Sequence, residues 1–215
     1  MKLSNLASLD PAMRLRGIAG LRGASRLDRN VWKEFHENLE EAVPASEEAF
    51  RKLFNAGDDD EVSVLPKEGI CVIKRPPQGS TAVYANVKVR RGQDYFRNAV
   101  LNNFQGRCGV TGISLKELLI ASHILPWNTH PKERLNVRNG LCLSRLHDAA
   151  FDQGLITFDN DLKLVLSQTI REILNNKAAS DCFGAYEGHP LDLPDDASLP
   201  ESDFLTFHRN TIFRH

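Results

Sequence analysis

An α+β protein is what this 215-residue sequence predicts, with a helical N-terminal region, a core of short strands and helices, and a C-terminal helix. Three observations carry that expectation. Ser25 and Asp28 form an S-x-x-D capping box, and Leu27, Val31, Phe35 and Leu39 follow at four-residue spacing, as on one helical face. Residues 118–125 are an apolar run of strand length, and residues 140–143 are a second short strand leading into Ser144, a helix cap. Residues 155–159 and 162–166 meet at Asn160-Asp161 like the arms of a hairpin.

The other elements follow in chain order. A second helix starts at Ser46, where Glu47 and Glu48 suit the positive end of the dipole, and stops by Gly57. Residues 57–80 read as a connector with Pro66, Pro76, Pro77 and Gly79, in which 62–65 and 70–73 are candidate short strands. Its acidic run, Asp58 to Glu61, lacks the glycine and the later glutamate of a calcium loop and reads as a solvated cap. Residues 81–89 alternate as a strand, with Val83, Ala85, Val87 and Val89 facing one way. Gly92 then precedes a helical pattern of Phe96, Val100 and Phe104. After a turn at 108–112 and the 118–125 strand comes a polar loop, 126–138. The helix capped by Ser144 runs to about Phe151 and is stopped by Gly154, and 204–213 close the chain as a helix.

Composition narrows the function classes. Hydrophobic residues at 41% and a net charge of −1 exclude a chain disordered throughout. No apolar stretch approaches the ~18 residues of a membrane helix, and the N-terminus lacks the apolar centre of a signal peptide. Four widely spaced cysteines without a C-x-x-C pair argue against a disulfide framework, so the expected compartment is the reducing cytoplasm. The small net charge conceals an asymmetry. Residues 81–150 hold 10 Lys/Arg against 4 Asp/Glu, net +6, and residues 151–215 hold 5 against 11, net −6. Two readings stay open on charge alone: a field that attracts nucleic acid, or basic and acidic segments that pair across the fold.

The basic segment contains three polar residues at places where the pattern calls for burial. His123 interrupts the apolar strand; Asn139 stands sixteen positions later, where the loop returns to a strand; His147 lies eight further on, in the first turns of the short helix. A strand, loop, strand and helix would bring both histidines to one cleft, and the asparagine would pin the loop between them. That set suits phosphodiester hydrolysis. A neutral histidine can take a proton from water at neutral pH. A second histidine can hold a divalent ion on the phosphate. An asparagine amide can bond backbone on both sides of a loop.

The runs RCGVTG, SHILPW and NVRNGLCLSRLHDAAFDQGLITFD together resemble the HNH endonucleases with the ββα-metal fold, in particular a restriction-endonuclease-like branch reading C-x-x-T-G, A-H-I-x-P-W, N-G-L and L-H-x-x-F-D-x-G. The flanking GQDYFRNAVLNNFQGRC and FLTFHRNTIF are similar to segments around this motif. The resemblance implies a DNA endonuclease dependent on Mg²⁺ or Mn²⁺, acting in restriction or another defence against foreign DNA. His123 would be the general base, Asn139 the orienting residue and His147 the helix-borne metal ligand. Ser122, a weak ligand, replaces the aspartate that many members carry before the first histidine, so the metal would rest on His147, waters and DNA phosphate oxygens. Asp148 and Asp152 are near enough in sequence to assist, although Asp152 reads as a helix-end residue. Only one cysteine remains at each of the two knuckles of zinc-bearing relatives, Cys108 and Cys142, so no structural zinc is expected.

Arg90, Arg91, Arg97, Lys132, Arg134, Arg138 and Arg145 would form a phosphate track, and Gln93 would read a base edge or cap a helix. The expected division is a helical region at 1–60 for dimerisation or recognition, a connector at 61–80, the nuclease domain at 81–170 and an extension at 171–215. DNA and a second copy of the chain are the expected partners. Two alternatives remain: a DNA-binding module with a degenerate site, and a structural or regulatory protein whose charged segments neutralise each other.

Overall fold

A computed structural model describes residues 6, 8–17, 23–57, 60–65, 69–73 and 83–215, and for 61–65, 69–73 and 83–91 the backbone alone. The chain forms two compact units: Met1–Ser63 with Ile70–Tyr95, and Val64–Gly69 with Phe96–His215. Its elements are α1 (Pro11–Leu15), α2 (Arg26–Glu37), α3 (Leu39–Leu53), β1 (Glu61–Leu65), β2 (Gly69–Ile73), α4 (Val83–Asn103), β3 (Leu119–His123), β4 (Gly140–Ser144), α5 (Arg145–Asp152), β5 (Ile156–Phe158), β6 (Leu164–Leu166), α6 (Gln168–Glu172), α7 (Lys177–Cys182) and α8 (Ser202–Thr211). The class is α+β, as the sequence predicts. No helix among the described residues is long and apolar enough to cross a membrane.

In the first unit, local chemistry sets the helix starts. The Asp10 side chain accepts from the Ala12 N–H at 2.8 Å and caps α1. The predicted capping box is present at α2: the Asp28 N–H donates to Ser25 Oγ at 3.1 Å, and the Ser25 N–H to Asp28 Oδ2 at 2.8 Å. The apolar stripe of α2 does not become a buried face, since Leu27 and Val31 stay 67% and 37% exposed. Periodicity fixes which residues share a face, not whether anything covers it. Helix α3 begins at Leu39 rather than Ser46 and runs through Pro44. Arg51 closes its far end: the guanidinium is 4% exposed, donates to the Gly57 and Asp60 carbonyls and pairs with Asp94. The candidate strands at 62–65 and 70–73 are β1 and β2, paired in a two-stranded sheet.

Where alternation predicts a strand at 81–89, the chain is helical from Val83, and Thr81 and Ala82 lie outside the described residues. Val83 and Val87 are four apart, a spacing that fits either period, and Gly92 falls inside α4 rather than before it.

The second unit is built on a continuous apolar core. Phe96 and Val100 of α4, with Phe104 just past its end, meet Leu141 and Leu143 of β4, Phe151 of α5 and Phe158 of β5 in one buried cluster. β3 and β4 pair antiparallel with His123 opposite Gly140, and β5 pairs antiparallel with β6. Gly140 is required by close approach, because a Cβ there would collide with Val100 and lie 2.9 Å from Phe96 Cζ. Ser144 caps α5 and Gly154 ends it at φ +67°, both as the sequence predicts.

Helix α8 docks through a histidine that sequence reading passed over. His208 is 1% exposed and stacks on Phe151 at 3.8 Å; its Nε2 donates to the Phe151 carbonyl and its Nδ1 accepts from Thr157 Oγ1. Burial pushes its pKa from 6.5 to about 4. Between those values the unfolded chain binds the proton and the folded one does not, so stability falls as pH drops through the window, by up to about 3 kcal/mol. Urea unfolding at pH 7 and pH 4.5 should therefore show wild type losing about 2–3 kcal/mol more than His208→Gln. Equal acid losses would remove this role.

Candidate active site

β3, the loop after it, β4 and α5 place the three predicted residues within one unit. Side chains alternate across a strand, so His123 and Ser122 leave β3 on opposite faces. His123 faces α4: its ring stacks on Phe96 at 3.6 Å and 12°, with Trp127 edge-on at 5.2 Å. Its Nε2 lies 3.0 Å from the Arg134 carbonyl. A carbonyl only accepts, so Nε2 carries the proton and the neutral ring keeps its lone pair on Nδ1. Burial lowers the His123 pKa; the carbonyl bond opposes that shift, and the nearby Arg134 charge adds to it. The ring is therefore neutral at pH 7, as a proton acceptor must be.

Asn139 is 1% exposed and ties the loop on both sides. Its Oδ1 accepts from the Leu125 N–H at 2.8 Å, and its Nδ2 donates to the Glu133 carbonyl at 3.0 Å. Its main-chain carbonyl accepts from the Ile124 N–H at 2.9 Å. These bonds hold the residues just after His123 and the one just before Arg134, whose carbonyl fixes the His123 ring. Arg134 adds a further pin, donating from Nε to the Trp127 carbonyl with its guanidinium 4.8 Å over the Trp127 ring.

His147 sits differently from its expected role. It is 2% exposed, its Nδ1 accepts from Ser144 Oγ at 2.8 Å, and its Nε2 donates to the Cys182 carbonyl at 2.9 Å. Phe183 and Tyr186 flank the ring. Both nitrogens are thus engaged by protein, and neither offers a lone pair to a cation in this arrangement. Burial also lowers its pKa, against the opposing Cys182 bond. Among the described residues no group of three or more His, Cys, Asp or Glu gathers where it could hold a metal. What β3 and α5 do present is oxygen: the buried Ser122 hydroxyl beside the Asp148 carboxyl, with Asp152 next along the helix.

Cys108 and Cys142 are fully buried in the core, where Cys108 Sγ accepts from the Ser144 N–H. Burial and the neighbouring Cys108 push the Cys142 thiol up to about 12, so it is protonated at neutral pH.

The basic residues are partly committed elsewhere. Arg97 donates to the Leu119 and Lys116 carbonyls, Arg145 to the Glu117 carbonyl, and Arg138 to the Leu199 carbonyl while pairing with Glu201 at 2.8 Å. Lys132 is exposed on the turn Pro131–Glu133. Gln93 is exposed in mid-helix, which removes the capping role. Arg90 and Arg91 lie in α4, and their side chains fall outside the described residues. Sequence reading missed two neighbours of His123. Phe96 reads only as core from its helical spacing, and no pattern links a side chain to a carbonyl eleven residues away.

Two antiparallel strands backed by a helix, with a loop cross-tied beside a half-buried neutral histidine, make up a ββα motif. The HNH endonuclease family model matches residues 108–159, the span that holds this motif and β5. Residues 108–159 are an HNH endonuclease domain, and the class acts on nucleic acid as a hydrolase. No curated protein matches the chain.

Proposed function

We propose that the protein is a DNA endonuclease in which His123 activates the attacking water and Asn139 orients the loop that aims it. The observation that carries this reading is the Nε2–H bond to the Arg134 carbonyl, which leaves Nδ1 as the proton acceptor. Water placed at Nδ1 would pass its proton there as the oxygen attacks phosphorus. A divalent ion, Mg²⁺ or Mn²⁺, supplies charge stabilisation on the phosphate when bound.

Arg97, Arg134 and Arg145 bond neutral carbonyls, which fix a guanidinium without cancelling its charge. That supports a positive field toward the DNA backbone. Residues 1–60 would serve dimerisation, recognition or partner docking, 61–80 would connect them to a nuclease domain at 81–170, and 171–215 would pack on it. Restriction or defence against foreign DNA is the biological role proposed, with cleavage by a homodimer.

The engaged nitrogens of His147 favour a second reading, a DNA-binding module with a degenerate site. Purified protein with supercoiled plasmid, in Mg²⁺, Mn²⁺ or chelator, separates the two. Metal-dependent conversion to nicked or linear DNA is expected. Intact plasmid in both metals, alongside salt-sensitive binding, would establish the binder instead.

A further inference from the structure

One arginine beside His123 keeps its charged end uncommitted. The Arg134 carbonyl holds His123 Nε2 at 3.0 Å, and the Arg134 side chain donates from Nε to the Trp127 carbonyl at 2.8 Å. Its guanidinium carbon stands 4.8 Å over the Trp127 ring, and the same ring meets the His123 imidazole at 5.2 Å. One indole is thus packed against both a cation and the proton acceptor. Arg134 is half-buried, and its two terminal amino groups make no hydrogen bond or ion pair among the described residues. A guanidinium has five N–H donors; Arg134 spends the one on Nε and leaves the fork of the other two nitrogens free to receive a ligand. Its neighbours in the basic segment are placed differently. Both terminal amino groups of Arg97 hold carbonyls, and Arg138 is paired with Glu201.

We propose that Arg134 is a catalytic residue of this site, whose two terminal amino groups take the non-bridging oxygens of the phosphate attacked by the water at His123. The inference rests on the nuclease reading above and adds to it a protein group that stabilises the reacting phosphate. The water oxygen forms its bond to phosphorus and its proton passes to His123 Nδ1. The bond from phosphorus to the leaving sugar oxygen breaks, and that oxygen takes a proton from solvent. Negative charge gathers on the non-bridging oxygens while both bonds are partly made. A guanidinium fork meets two such oxygens with parallel bonds. A donor fixed in advance stabilises the charge without reorganising as it develops, and the Nε bond and the indole face fix Arg134 in that way. A water bonded to Nδ1 and the phosphorus it approaches span about 6 Å, so fork and base can serve one phosphate from their contacts on one indole.

The test is single-turnover cleavage of supercoiled plasmid by the full-length protein in Mg²⁺ and in Mn²⁺, read beside anisotropy of a fluorescein-labelled DNA duplex and a thermal melt. Arg134→Gln should cut about 10²–10³-fold more slowly, with duplex affinity within about threefold of wild type. Arg134→Lys keeps the charge without the fork and should lose about tenfold or more. Added guanidinium ion should speed Arg134→Ala by about tenfold over the same concentration of NaCl and leave His123→Ala unchanged. An arginine that only holds the loop in place would not be replaced by the free ion. Arg134→Gln cutting like wild type, a rate loss matched by an equal loss of affinity, or no response of Arg134→Ala to guanidinium would each overturn the assignment. If Arg134→Gln does not fold, Arg134→Lys decides by the same comparison of rate with affinity. Plasmid left intact by wild type in both metals overturns the nuclease reading itself, and the assignment with it.

Discussion

Replacing His123 with alanine should lower the DNA cleavage rate by about 10²–10⁴-fold under single-turnover conditions, the range in which a positioned general base acts. The expectation follows from one lone pair. Nε2 is committed to the Arg134 carbonyl, Nδ1 remains to accept a proton, and no alanine atom replaces it. DNA affinity, read by fluorescence anisotropy, should stay within about threefold, because phosphate contacts dominate affinity. The variant should also lose about 1 kcal/mol of stability with the ring stacked on Phe96. The pH profile supplies a second readout. Burial holds the His123 pKa below its ordinary 6.5, so wild-type rate should be flat through neutrality and fall only on acidification below that value. A rate unchanged by His123→Ala at unchanged affinity would remove the residue from the chemistry.

The positions of His123 and Asn139 were legible because polar residues stood where the local pattern demanded apolar ones, and because Ser144 and Gly154 mark both ends of α5. Their partners were not. The Arg134 carbonyl carries no side-chain signature, and the Cys182 carbonyl that holds His147 comes from 35 residues downstream. A family motif assigns His147 to a metal through its neighbours in sequence, whereas the ring is claimed by a segment outside that motif. The arginines mislead for a related reason: composition counts charge, but a guanidinium has five donors and can pin carbonyls while keeping its charge. Of the two readings of the +6 segment, pairing with the acidic segment finds support at Arg138–Glu201, whereas Arg97 and Arg134 bond neutral carbonyls and Arg145 bonds a carbonyl while its charge also faces Asp148. At α4 the short strand-like alternation was outweighed by a helix that continues past Gly92 to Asn103.

Asn139→Ala should damage stability and rate together. The substitution removes one acceptor and one donor from a site that is 1% exposed, leaving the Leu125 N–H and the Glu133 carbonyl without the partners they have now. Each buried polar group so stranded costs about 1–3 kcal/mol, so a loss of about 2–4 kcal/mol in urea unfolding is expected. The rate should fall by about 10–100-fold, less than for His123→Ala, because the base is still present but its loop is no longer held. The distinguishing readout is the acid limb of the pH–rate profile. The Arg134 carbonyl bond raises the His123 pKa, and Asn139 anchors the residue next to Arg134. Loosening that anchor weakens the bond, so the acid limb should move to lower pH. A variant that loses stability while keeping both its rate and its acid limb would reduce Asn139 to a packing residue and detach it from the aim of His123.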